Sequence, residues 1–176
     1  MTQPLRATII SDASYCHRSK AAGYGTWISA DGIDRIRKAG IIAGSPANST
    51  EAELKAVMIG MWYAYRVGVR VMLIQTDCLA VVEVVNRSTT PGQAALRRTL
   101  KDAIEAHMPG VEISAKHVKG HTTNEDARSW VNRWCDYHAG IHMRDERARR
   151  LGPKKKKGRH PDAERFIAAV RKQGGY

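Results

Sequence analysis

Two β-branched runs that each close on an aspartate constrain this chain most. Thr8-Ile9-Ile10-Ser11-Asp12 and Arg70-Val71-Met72-Leu73-Ile74-Gln75-Thr76-Asp77 both read as strands. Alternation with period two puts Ile10 and Asp12 on one face of the first strand and Ile9 and Ser11 on the other, so an acid is expected at the rim of a core sheet. Between the two runs, the segment from Asn48 to about Val67 carries Leu54, Met58, Met61 and Tyr65 at helical spacing. The second run has this helix before it and another segment, Leu79 to Asn86, after it. This is β-α-β material, and it requires a parallel strand.

The rest of the chain completes a mixed sheet. Gly23 to Ser29 reads as strand two, and Asp31-Gly32 is a tight-turn signal into a third strand over roughly Ile33 to Ile42. Glycines in strand two imply a bulge or a close backbone approach. Gln93 to His107 is a helix stopped by Pro109-Gly110, and Val111 to Val118 alternates as a fifth strand. A loop, Lys119-Gly120-His121-Thr122-Thr123, precedes a long helix from about Asn124 to Arg149. The expected class is α/β, with a five-stranded mixed sheet flanked by helices in one domain over residues 1–150.

Charge separates that domain from the C-terminal segment. The net charge is +12 with a pI near 10, which points to a polyanionic partner, nucleic acid before an anionic membrane surface. From Arg144 to Tyr176, twelve Lys and Arg stand against four Asp and Glu, so +8 of the excess belongs to that end. Residues 151–176 are expected to be a basic tail: a flexible linker over Lys154 to Arg159, then a short amphipathic helix bearing Phe166, Ile167 and Val170. Three widely spaced cysteines, Cys16, Cys78 and Cys135, argue against a disulfide framework. Neither a signal peptide nor an apolar run of ~20 residues is present, so the expectation is a cytoplasmic protein. Pro153-Lys154-Lys155-Lys156-Lys157 also fits a nuclear import signal.

The acids carry the chemistry. Asp12 could open a turn, and Asp77 could cap a helix starting at Leu79. A third acid depends on how the first helix begins. If Thr50 is the cap, Glu53 closes a capping box on the backbone; if Asn48 is the cap, Glu51 takes that task and Glu53 is free to point inward. Acids gathered at element ends suggest a divalent metal site.

The order of three antiparallel strands, helix, strand, helices, strand, His loop and helix resembles the ribonuclease H family. Asp12 on strand one, Glu53 in the first helix, Asp77 after strand four, Lys119-Gly120-His121 and Asn132-Arg133-Trp134-Cys135-Asp136 carry the resemblance, which covers roughly residues 5–145. Where the family opens Asp-Gly-Ser, this chain has Asp12-Ala13-Ser14. Asp126 is the rival for the fourth acid, and Asn132, four residues before Asp136, favours Asp136 on the family's pattern. The resemblance implies catalytic roles for Asp12, Glu53, Asp77, His121 and Asp136. All but His121 would hold two Mg²⁺ ions, with Mn²⁺ as an alternative. It further implies substrate contacts at Ser14, Asn48, Thr50, Lys119 and Asn132, and a monomer that cuts the RNA strand of RNA/DNA hybrids to 5′-phosphate and 3′-hydroxyl ends. The basic tail would contact nucleic-acid phosphates.

Three other readings compete. One is a different nuclease on the same fold, acting on DNA junctions or ends; another is a non-catalytic nucleic-acid-binding module, although a binder gains nothing from clustered negative charge. The third is a zinc site drawn from His117, His121, Cys135, His138 and His142. Against it, His117 lies on a strand, where a separation of four residues spans about 13 Å, and no Cys-x-x-Cys is present.

Overall fold

A computed structural model describes residues 3–87, 90–119 and 126–152. The chain forms β1 (Arg6–Tyr15), β2 (Ala22–Ala30), β3 (Ile33–Ile41), α1 (Ser49–Arg66), β4 (Val71–Thr76), α2 (Leu79–Asn86), α3 (Ala94–His107), β5 (Glu112–His117) and α4 (Ala127–Leu151). The strands make one sheet in the order β3-β2-β1-β4-β5. β1, β2 and β3 are an antiparallel meander, whereas β4 runs parallel to both β1 and β5. This is the mixed five-stranded sheet that the β-α-β pattern requires. No helix among the described residues is long and apolar enough to cross a membrane.

Each face of the sheet receives a different helix, and the period of β1 decides which side chains each helix meets. Ile9, Ile28, Met72 and Ile74 join Leu54, Val57 and Met61 of α1 and Val81 and Val84 of α2 in the main core. The helical stripe expected in α1 is broader than its long side chains suggested: Ala52, Ala56, Gly60 and Ala64 are also buried, while Met58 and Tyr65 pack at its margin. On the opposite face, Ile10 and Trp27 pack against Cys135 of α4.

Strand two's glycines serve the close approach expected of them. A Cβ on Gly25 would lie 2.3 Å from the Cys135 carbonyl oxygen, and one on Gly23 would lie 2.3 Å from that of Ala139, so α4 rests directly on the β2 backbone. The alternative expected of them, a bulge, is not at the glycines: the register against β3 runs regularly through Gly23 and Gly25 and shifts only between Ile28 and Ala30. On the α1 side, a Cβ on Gly60 would meet Thr26 Oγ1 at 2.5 Å, Ile9 Cγ2 at 2.8 Å and Ser11 Oγ at 2.9 Å. The two hydroxyls are already committed, since Ser11 and Thr26 hydrogen-bond each other at 2.7 Å.

The far end of α4 is tied down by a charge cluster. Buried Glu146 accepts from Arg149 at 2.7 Å and Arg150 at 2.6 Å, and these two guanidiniums hold its carboxyl at about 2. Arg150 then donates to the carbonyls of Ser19, Lys20 and Gly44 and to Ser45 Oγ, joining the helix to two loops. One of those loops leads directly into the 47–48 segment where α1 begins.

Gly60→Ala tests the α1 contact. Helix propensity alone would favour alanine by about 0.8–1 kcal/mol. The steric contacts predict the opposite sign, a net loss of about 1–3 kcal/mol in denaturant melts.

Candidate active site

Asp12 does not open a turn. β1 continues three residues past it to Tyr15, and Asp12 pairs with Gly25 of β2. Its pairing with β4 has already ended, because the β1–β4 register stops at Ile10 and Gln75. Asp12 is therefore interior to one ladder and at the open end of the other, buried to 7% exposure. Its rim position arises where β4 stops, not where β1 stops.

Asp77 follows the last residue of β4. It does not cap α2: the cap position belongs to Cys78, with no side-chain cap bond. The Asp77 carbonyl is 3.1 Å from His117 Nε2 at the end of β5, which locks the β4 and β5 ends together.

Glu53 reaches the same point from α1, and the cap decides that it can. Asn48 Oδ1 accepts from Glu51 N at 2.9 Å, and Glu51 Oε2 accepts from Ala47 N at 2.9 Å. Glu51 also pairs with Lys55 at 2.9 Å; that bond, with the Ala47 amide, holds its carboxyl below the usual range. Glu51 thus serves the helix start, and Glu53, two residues on, faces the sheet, where Oε2 accepts from Ala13 N at 3.1 Å.

The three carboxylates converge. One oxygen from each of Asp12, Glu53 and Asp77 lies within 4.8 Å of the others. Burial, followed by the charges of Asp12 and Asp77, pushes the Glu53 carboxyl well above the usual glutamate value. Such a set is short of positive charge. Hard carboxylate oxygens at this spacing fit a divalent cation such as Mg²⁺, whose charge would offset their mutual repulsion.

Asp136 lies on α4 outside this group, on the side of the sheet that Asp12 faces. The two acids, after burial, push the Cys135 thiol up between them. Asp126, its rival, is the cap of α4, where its side chain accepts from Ser129 N at 2.7 Å. Asn132 stands one turn before Asp136 and is half-buried. Ser14 pairs with Gly23 near the end of β1, Asn48 and Thr50 sit at the start of α1, and Lys119 is exposed just past β5. His121 lies outside the described residues.

The zinc set does not form among the described residues. The acidic trio is the metal-type group found there, Cys135 is buried against Ile10 and Trp27, and His138 stacks on Trp134 at 4.2 Å. The Ala13 amide, by contrast, is a partner no sequence pattern announces, since every non-proline residue carries one.

Because the folded protein holds the Glu53 proton more tightly than the unfolded chain, that group's stabilisation is complete below the ordinary glutamate value of 4.5. It is lost as pH rises through the raised folded value. Melting curves in chelator should therefore show this contribution falling as pH rises above the ordinary glutamate value, and Glu53→Gln should flatten that fall. Asn48→Ala should instead cost about 0.5–2 kcal/mol across the same range.

Residues 11–134 match the family described as reverse transcriptase-like. Among solved structures, ribonuclease H1 from the halophilic archaeon Halobacterium salinarum is similar at 18% identity and a TM-score of 0.62, covering 80% of this chain and 98% of that one. The N-terminal ribonuclease H domain of a Mycobacterium tuberculosis protein, solved as a fusion with maltose-binding protein, is similar at 21% identity and a TM-score of 0.60, covering 78% and 98%. LC11 ribonuclease H1, whose structure was solved in complex with an RNA/DNA hybrid, is similar at 12% identity and a TM-score of 0.52, covering 80% and 98%. No curated protein matches the sequence. The matched span takes in Asp12, Glu53 and Asp77, the fold it encodes is the ribonuclease H fold these structures share, and the chain belongs to the reverse transcriptase-like family.

Proposed function

We propose that this protein is a divalent-metal-dependent endonuclease that hydrolyses the RNA strand of RNA/DNA hybrids, leaving 5′-phosphate and 3′-hydroxyl ends. The observation that carries this reading is the carboxylate trio, buried Asp12 with half-buried Glu53 and Asp77, at the open end of the β1–β4 ladder. A similar fold has been solved with an RNA/DNA hybrid bound, which supports the substrate class. Asp12, Glu53 and Asp77, with Asp136 contributing from α4, would hold two Mg²⁺ or Mn²⁺ ions. When bound, such ions supply an activated water and offset charge on the attacking and leaving oxygens.

The chain's own residues set the geometry. The Ala13 amide orients the Glu53 carboxylate, and the β1–β2 ladder fixes Asp12. The hydrogen bond between His117 and the Asp77 carbonyl draws the β5 exit to the acids. Lys119 and His121 follow that exit, where Lys119 would meet a phosphate and His121 would move a proton near the departing 3′ oxygen. Ser14, Asn48, Thr50 and Asn132 would contact the hybrid, the RNA strand being distinguished by its 2′-hydroxyls. Residues 1–150 would act as a monomeric catalytic domain. The stretch 151–176 would serve as an electrostatic tether; residues 153–176 lie outside the described residues.

Incubation with labelled RNA/DNA, RNA/RNA and DNA/DNA duplexes in Mg²⁺ tests the reading. RNA-strand cleavage in the hybrid alone is expected, and cleavage of the DNA/DNA duplex in its place would overturn it. Asp12→Asn should lower turnover by about a thousand-fold or more, the worth of several kcal/mol, while the protein still melts cooperatively. Asp136→Asn should impair cleavage, whereas Asp126→Asn should act on α4 stability.

Deleting residues 153–176 removes eight basic and two acidic side chains. Hybrid affinity should drop, with the slope of log affinity against log salt shallower by at most ~0.9 for each phosphate no longer neutralised. Turnover at saturating hybrid should stay the same.

A further inference from the structure

The face of the sheet under α4 carries a second feature, away from the acidic trio and unused by the proposed chemistry. A groove of about 750 Å³ opens between β1, β2, β3 and the start of α4, and its walls include Trp27, Trp130, Arg35, Arg37 and Arg128. Among the described residues, no acid lines it. Two carboxylates adjoin lining residues in sequence: Asp126 is spent on the Ser129 amide, and Asp34, next to Arg35 on β3, falls on the opposite face of the sheet by the period of the strand. Neither Arg35 nor Arg128 forms an ion pair among the described residues.

The two indoles differ in a way that matters. Trp27 is 8% exposed, with the Arg37 guanidinium 5.1 Å from its ring centre. Trp130 stands edge-on to it at 5.5 Å and is 49% exposed, so its ring still offers contact area. From these observations we infer that the groove binds a single-stranded nucleic-acid segment, with a base stacked on Trp130 and backbone phosphates on Arg35, Arg37 and Arg128.

The charge pattern selects a polyanion, and the exposed ring selects an unpaired one. Bases in a duplex are stacked on each other and present no free face, whereas a single strand offers a face at every nucleotide. The groove also sits where an overhang would run. Its floor includes Ile10, which pairs with Trp27, and two residues further along the same strands Asp12 pairs with Gly25. By strand rise that is about 7 Å, on the same face. This continuity rests on the acids being the catalytic centre; binding of a free strand does not.

The test uses the full chain in chelator, with fluorescein-labelled oligothymidine of about twelve nucleotides, within the site sizes that stacking grooves occupy, a blunt RNA/DNA hybrid and the same hybrid carrying an oligothymidine overhang. Trp130→Ala should weaken oligothymidine and overhang binding by about 5- to 150-fold, the worth of one stacked base, and leave blunt-hybrid affinity unchanged. A double Arg35→Ala, Arg128→Ala variant, which keeps the indole packing, should make the salt slope for oligothymidine shallower by ~0.7 for each phosphate no longer neutralised. Equal losses on blunt and overhang hybrids would show that the groove holds duplex and would overturn the inference, as would unchanged oligothymidine binding in both variants. Should the protein fail to cleave hybrids at all, the oligothymidine measurement still decides the groove independently.

Discussion

Three carboxylates cannot be held within 4.8 Å of one another unless something outweighs their repulsion, and the architecture is arranged around that requirement. Asp12 is fixed by the β1–β2 ladder, Asp77 by the end of β4, and Glu53 by the seat of α1 on β1. The last is the most demanding, because a helix must approach the strand closely for its first turn to overhang the strand's end. Gly60 permits that approach at the helix centre, and the Asn48 cap with Glu51 fixes the helix start. The Ala13 amide then gives Glu53 a definite direction. What electrostatic strain remains is expressed in Glu53, whose raised affinity for a proton marks the place where a cation's charge is wanted.

The sheet divides the remaining work between its faces. The α1 face buries the large aliphatic core, including Leu54, Met61, Met72 and Ile74, which supplies most of the apolar burial. The α4 face is thinner and more polar: Gly23 and Gly25 let α4 lie on the backbone, and the layer is built from Ile10, Trp27 and Cys135. The Glu146 and Arg150 cluster pins α4 at its far end, while its first half carries Asp136 on the side of the sheet that Asp12 faces and lends Trp130 to the groove. One helix thus serves both the candidate catalytic edge and the basic groove.

Much of this was legible in the residues. Among the described residues, periodicity and turn signals located the five strands and four α-helices to within a few residues, and the helix between two apolar runs required the parallel pair β1 and β4. The order of acids along the chain sufficed for the family resemblance. Several matters stayed open in the sequence because more than one local solution was available to the same residues. Asp12 could have begun a turn, Asp77 could have capped α2, Thr50 and Asn48 competed for one cap, and Asp126 competed with Asp136.

Tertiary contacts closed those alternatives. Where β1 ends depends on β2, which pairs with it through Tyr15, and no property of Asp12 itself reveals that partner. Asn48 is the cap because α1 docks with Glu53 over the sheet end, and Asp126 is the cap of α4 because its carboxylate reaches Ser129 N. The Arg and Trp groove was the least legible. Trp27, Arg35 and Arg37 come from the β2–β3 hairpin and Arg128 and Trp130 from α4, far away in the chain, and each alone is an ordinary surface or core residue. The sequence by itself determined the elements, their order and the sheet they make, since periodicity and chain connectivity are local properties. Only the tertiary structure decided which acids share a site and which cations share a groove, because charge and stacking act through space and carry no period along the chain.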